Sequence, residues 1–160
     1  MPQARNKGVF MTNAIGEAEI GIRSRHGGPF GAVIVKNGKI ISRAHNTVIK
    51  DNDPTAHAEI AAIRKACKIL KSFSLKGCEI YSTCEPCPMC LAAIYWARIS
   101  AIYYGCTRSD AEKIGFDDNL IYSILKGVKT ASDLKTIKMG RSECLKSFKK
   151  WKQKKDRIPY

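Results

Sequence analysis

DPTAHAEIAAIRKACKILKSFSLKGCEIYSTCEPCPMCLAAIYWARI, residues 53–99, is the stretch from which the rest of the chain can be placed. It reads as helix, strand, helix. Asp53-Pro54-Thr55 precedes an apolar-periodic run over 57–70, with Ile60, Ile63, Ala66, Cys67 and Leu70 on one face. Glu79-Ile80-Tyr81-Ser82 is a short strand candidate. Pro88, well tolerated in a first helical turn, opens a further helix over 88–98. Each of the two helices begins at side chains able to bind a metal: His57 on one, Cys87 and Cys90 on the other.

Working outward, Ala32-Val33-Ile34-Val35 and Ile40-Ile41-Ser42 flank Asn37-Gly38, a dipeptide that favours a tight hairpin turn. Residues 3–24 carry Val9, Phe10, Ala14, Ala18, Gly21 and Ile22 at helical spacing, and Gly27-Gly28-Pro29 ends that run. Ala101-Ile102-Tyr103-Tyr104 is a strand candidate. The order β-β-α-β-α-β predicts an α/β sheet with helices packed on it. Beyond residue 110 the pattern weakens: Leu120 to Leu125 reads as helix, Thr136 to Met139 as strand, and Leu145 to Lys155 as a basic terminal helix. No repeat or linker divides the 160 residues, which fit a single domain over 1–160.

Composition narrows the function classes. A hydrophobic fraction of 44% with 26% charged residues is ordinary for a soluble globular protein. No apolar run approaches the ~20 residues of a membrane helix, and the start, MPQARNKGVF, lacks a signal-peptide pattern, so a cytoplasmic protein is expected. The cysteines number seven, an odd count, and two stand in a C-x-x-C. Free thiols with Cys87 and Cys90 on metal is therefore the expected state, with Cys67, Cys78 and Cys106 as small core residues. The net charge is +14. From residue 145 on, seven lysines and arginines face only Asp156, giving +6 and leaving +8 spread thinly. Such a balance fits either a polyanion partner or a solvated basic surface. With Trp151 the one tryptophan in the segment, the solvated surface is the preferred reading.

The metal-competent residues define a chemistry. Structural zinc usually takes four protein ligands, whereas catalytic zinc takes three and leaves one position to water, whose pKa then falls toward ~7. His57, Cys87 and Cys90 supply three, and there is no separate second C-x-x-C, since Cys84-x-x-Cys87 shares Cys87. Helix N-termini favour thiolate over thiol. Glu59, two residues past His57, is placed to shuttle protons from water to a ring nitrogen and a departing amine. His-x-Glu followed by Pro-Cys-x-x-Cys, with 87 − 59 = 28 positions between Glu59 and Cys87, is the signature pattern of zinc nucleobase deaminases. One zinc per chain is expected.

On these residues the chain resembles the cytidine-deaminase-like superfamily. GGPFGAVIVKNGKII, NDPTAHAEIAAIRKAC, CEPCPMCLAAIYWARI and IGFDDNLIY resemble the bacterial guanine deaminases within it, over about residues 15–123. The resemblance implies a three-layer α/β/α fold with a mixed five-stranded sheet, hydrolysis of guanine to xanthine and ammonia, and a homodimer. It further implies that Asn46 and the backbone N–H of Ala58 bind the purine edge and that Phe30 and Trp96 bound its faces. Asp118 would accept from the amino group, and Tyr160 would close the pocket, from the partner subunit. The tRNA adenosine deaminases share DPTAHAEI and EPCPMC, so Tyr95-Trp96 and Gly115-Phe116-Asp117-Asp118 carry the distinction. Plant guanosine deaminases are similar at Gly-Phe-Asp-Asp but lack the tryptophan. Deamination of tRNA, guanosine or triazines remains open at this point, as does a non-catalytic zinc-containing nucleic-acid module. Against the last stands Glu59, because binding alone has no use for a carboxylate beside a metal water.

Overall fold

The structure, a computed structural model, describes residues 2–128 and 134–159, with side chains from residue 7 onward. By its internal contacts the chain separates into two compact units, residues 1–119 and 120–160. In the first, helix α1 (Pro2–Arg23) leads into strands β1 (Gly31–Lys36) and β2 (Lys39–His45). A single turn, α2 (Val48–Asp51), precedes helix α3 (Ala58–Leu70), strand β3 (Cys78–Cys84), helix α4 (Pro88–Trp96) and strand β4 (Ala101–Cys106). Helix α5 (Arg108–Lys113) follows, and helices α6 (Asn119–Leu125), from its second residue on, and α7 (Arg141–Gln153) lie in the second unit.

The sheet runs β2-β1-β3-β4. β1 pairs antiparallel with both β2 and β3, while β3 and β4 are parallel and connected through α4. Asn37 and Gly38 both have positive φ, 50° and 73°, the geometry that matches a two-residue turn to the twist of its strands. β1 is buried on both faces, as an inner strand between helical layers must be. Ala32 and Ile34 join Ile80, Cys78 and the alanines of α3 on one side. Val33 and Val35 meet Phe10 and Ala14 of α1, with Tyr81, on the other. The three-layer α/β/α arrangement follows.

Small residues set the layer spacing. α3 faces the sheet most closely with Ala58, Ala62 and Ala66, all fully buried, while Ile63, Cys67 and Leu70 of the expected face pack against the same core. Ser42 donates its hydroxyl hydrogen to the carbonyl of Ala62 at 2.8 Å, fixing the helix on β2. On the other face, a Cβ at Gly31 would stand 2.0 Å from the carbonyl oxygen of Ala14, so α1 rests directly on the backbone of β1.

Four expectations are corrected. The sheet has four strands among the described residues, not five. Thr136 to Met139 is irregular, with Ile137 and Met139 exposed and no ladder of hydrogen bonds to make a strand of it. Cys78 is core and Cys67 packs against it, but Cys106 is exposed, because β4 is an edge strand whose last three residues face outward. The basic helix begins at Arg141, four residues before its apolar pattern starts at Leu145.

Candidate active site

His57 and Cys87 are the N-cap residues of α3 and α4, both extended in backbone, with Pro88 opening α4. The two helix starts therefore meet, and Cys90 joins them from the first turn of α4. The ligand atoms of His57, Cys87 and Cys90 all lie within 4.8 Å of one another. Nδ1 of His57 is 3.6 Å from Sγ of Cys87 and 3.5 Å from Sγ of Cys90. A tetrahedral ion with Zn–S of about 2.3 Å and Zn–N of about 2.0 Å would set its nitrogen and sulfur ligands about 3.5 Å apart. The donor set fits zinc in both chemistry and spacing.

Electrostatics at the cluster favour a cation. The hydrogen bond from the Cys90 thiol, and after it the His57 ring, pulls the Cys87 thiol down to about 4. The same hydrogen bond and burial push Cys90 up. One thiolate already exists at neutral pH, and a divalent ion draws out the second proton.

Glu59 is 5% exposed and is held at both oxygens. Oε1 accepts from the hydroxyl of Ser82 at 2.9 Å, and Oε2 accepts from the Cys90 thiol at 3.4 Å. Burial raises its pKa above the usual carboxylate range, with the Ser82 hydrogen bond opposing. A carboxyl group in that position can take and return a proton. Ser82 was not singled out in the sequence. Its role follows from the structure: a hydroxyl on the fully buried stretch Ile80–Ser82 of β3 must find a partner inside.

The expected substrate residues fall in three groups. Asn46 is buried, and its Oδ1 accepts from the backbone N–H groups of Gly28 and Val48 at 3.2 and 3.1 Å. With the oxygen engaged, the amide NH2 remains as the donor. Ala58, the first residue of α3, is buried next to His57. Phe30 packs edge-on against Phe116, ring centroids 4.9 Å apart, and both rings come within about 3 Å of where a Gly28 Cβ would be. Phe116 is a further residue packed against Phe30, present in the sequence only as part of the Gly-Phe-Asp-Asp segment.

Asp118 is placed by Arg108, whose Nε donates to Oδ1 at 3.1 Å. The backbone N–H of Arg108 donates to Glu85 at 3.1 Å, so Asp118 is tied to the loop that enters Cys87. Asp117, not Asp118, makes the local turn by accepting from the N–H of Asn119. No pattern in the sequence identified Arg108. Trp96 ends α4, the opposite end from the ligands, and is 68% exposed. A nine-residue helix is about 13 Å long, so Trp96 stands apart from the metal residues of its own chain. Tyr160 lies outside the described residues.

Comparison with known proteins agrees with this geometry. The family model described as the cytidine and deoxycytidylate deaminase zinc-binding region matches residues 4–106. A guanine deaminase of Bacillus subtilis is 46% identical over 147 residues, 92% of this chain and 94% of that protein. The crystal structure of a guanine deaminase from that organism superposes with a TM-score of 0.89 at 44% identity, covering 96% and 98% of the two chains. A tRNA-specific adenosine deaminase of Aquifex aeolicus is 53% identical, but over 76 residues, 48% of this chain and 50% of that protein. The structure of a guanine deaminase from Nitrosomonas europaea has a TM-score of 0.65 at 29% identity, over 68% of this chain and 63% of that one. With its ligand triad and buried carboxylate in place, the chain belongs to the zinc-binding cytidine and deoxycytidylate deaminase family, and within it to the guanine deaminases.

Proposed function

We propose that this protein hydrolyses guanine to xanthine and ammonia. The observation that carries the reading is the extent of the similarity to the Bacillus guanine deaminase. It runs far beyond the metal residues, whereas the Aquifex tRNA deaminase matches over only about half the chain. His57, Cys87 and Cys90 would hold one zinc ion, which when bound lowers the pKa of a coordinated water toward ~7 and so supplies hydroxide at neutral pH. Glu59 would take one proton from the attacking water and pass it to the ring nitrogen beside C2, and would carry the second, released as the hydroxyl added at C2 becomes the carbonyl, to the departing amine. Ser82 holds the carboxylate of Glu59 in register for both transfers.

Binding is assigned to the residues that flank this centre. Asn46 donates through its amide NH2 to an acceptor on the purine edge, and the backbone N–H of Ala58 supplies a second donor. Phe30, braced by Phe116, covers one face of the ring. Asp118, held by Arg108, accepts from the amino group that leaves. A homodimer is part of the same reading. The exposed Tyr95 and Trp96 at the end of α4 support it, since large adjacent aromatics in water are a common mark of an interface. Under this reading Trp96 acts at the subunit contact, and sedimentation of Trp96→Ala as a monomer would bear it out.

Glu59→Gln tests the mechanism. It should retain about one zinc per chain and lose about 10²–10⁴-fold in kcat, the usual contribution of a positioned acid–base group. Normal turnover by that variant would remove Glu59 from the reaction.

A further inference from the structure

Two of the three histidines are not part of the metal centre, and they touch each other. Nδ1 of His26 is 2.9 Å from Nε2 of His45, and the rings are stacked with centroids 5.2 Å apart. Nδ1 of His45 is in turn 3.0 Å from Oε2 of Glu17 on α1. The carboxylate accepts, so Nδ1 of His45 carries a hydrogen. In the neutral ring its Nε2 then accepts, and the hydrogen on Nδ1 of His26 completes the chain. Burial, with Lys50 and the facing His45, lowers the pKa of His26, while Asp51 opposes.

This relay joins three elements at one point. Glu17 belongs to α1, His45 ends β2, and His26 sits in the turn between α1 and β1. Asn46 follows His45 directly, and Gly27 and Gly28 follow His26. The two segments are laced together: the N–H of Asn46 donates to Phe30, the N–H of Gly28 to Oδ1 of Asn46, and those of Ile49 and Lys50 to the carbonyl of His26. A Cβ at Gly27 would lie 2.0 Å from Oδ1 of Asn46, so the turn is pressed against that amide. On α1, Gly21 leaves room for the His45 ring, which a Cβ there would meet at 3.0 Å.

We propose that Glu17, His45 and His26 form a positioning relay that anchors Asn46 and the Gly27–Phe30 turn to α1, and thereby sets the affinity for the purine base. None of the three touches the base. They act through Asn46, and the inference rests on the assignment of Asn46 to the base edge.

The test compares Asn46→Ala, His45→Leu, His45→Gln and the double variant His45→Leu/Asn46→Ala, with kcat and KM for guanine, zinc content and thermal midpoint measured for each. Asn46→Ala should raise KM. His45→Leu should raise KM about tenfold with kcat within about twofold and zinc unchanged, because positioning is lost and the chemistry is not. His45→Gln, which keeps one donor and one acceptor, should recover most of that loss and also guards against a folding failure in the leucine variant. The double variant should be no worse than Asn46→Ala alone, as expected when one residue works through the other. If Asn46→Ala raises KM and His45→Leu does not, the relay is overturned while the base-edge reading stands. If KM is indifferent to Asn46→Ala, that reading fails and takes the relay with it. Additive losses in the double variant, or a glutamine variant as poor as the leucine one, would also overturn the relay.

Discussion

At the scale of single residues, what counts is how few atoms converge and how completely they are satisfied. Glu59 has a hydroxyl on one oxygen and, while Cys90 keeps its proton, a thiol on the other, and no buried side-chain nitrogen or oxygen among the described residues lacks a partner. Ser82→Ala should therefore keep zinc, lower kcat about tenfold and cost about 1 kcal/mol of stability, the usual worth of one buried hydrogen bond. Steady-state kinetics and urea unfolding read both. The metal ligands were legible in the sequence because their geometry is local: a helix N-terminus turns spacing into direction. Ser82 and Arg108 were not, because their roles depend on which strand or helix lies beside them. Asn46 and Phe30 came from family resemblance, and only the structure shows that Asn46 has its oxygen engaged and its NH2 left to donate.

At the scale of elements, the sheet and its helices follow from patterns strong enough to survive tertiary context. The Asn37-Gly38 hairpin, the helix after His57 and the helix at Pro88 all stand where their turn and cap residues place them. Periodicity marked much of the inward face of α3, since Ile63, Ala66, Cys67 and Leu70 lie in or against the core, but it passed over Ala58 and Ala62, which close approach to the sheet requires to be small. The same close packing makes Gly31 intolerant. Gly31→Ala would drive a methyl group into the backbone of Ala14 and Ala18, and should cost about 2–3 kcal/mol, as overpacking of a tight core does. A urea midpoint equal to that of the parent protein would refute the direct contact of α1 with β1. Thr136 to Met139 shows the converse, since four residues of suitable composition make no strand without a neighbouring ladder.

At the scale of the molecule, charge and reaction are separable. Of the net +14, residues 120–160 carry twelve lysines and arginines against three acids, or +9, leaving +5 on residues 1–119, which hold the metal ligands. Activity on a neutral base should thus be nearly indifferent to salt. KM for guanine is expected to change less than about twofold between 50 and 200 mM salt, where polyanion binding through many phosphates would weaken by about 10³–10⁵. Removing zinc with a chelator should abolish turnover and leave the far-ultraviolet circular dichroism nearly unchanged. The apolar core of sheet and alanine helix contains none of the three ligands, of which only Cys90 is fully buried. Zinc added back should restore the rate.

Ammonia release by the zinc-loaded protein from guanine, guanosine, adenine, cytosine and a tRNA anticodon stem-loop, measured side by side, decides the substrate. Guanine should be the clear winner, with xanthine as the product. Release from the stem-loop alone would overturn guanine deamination.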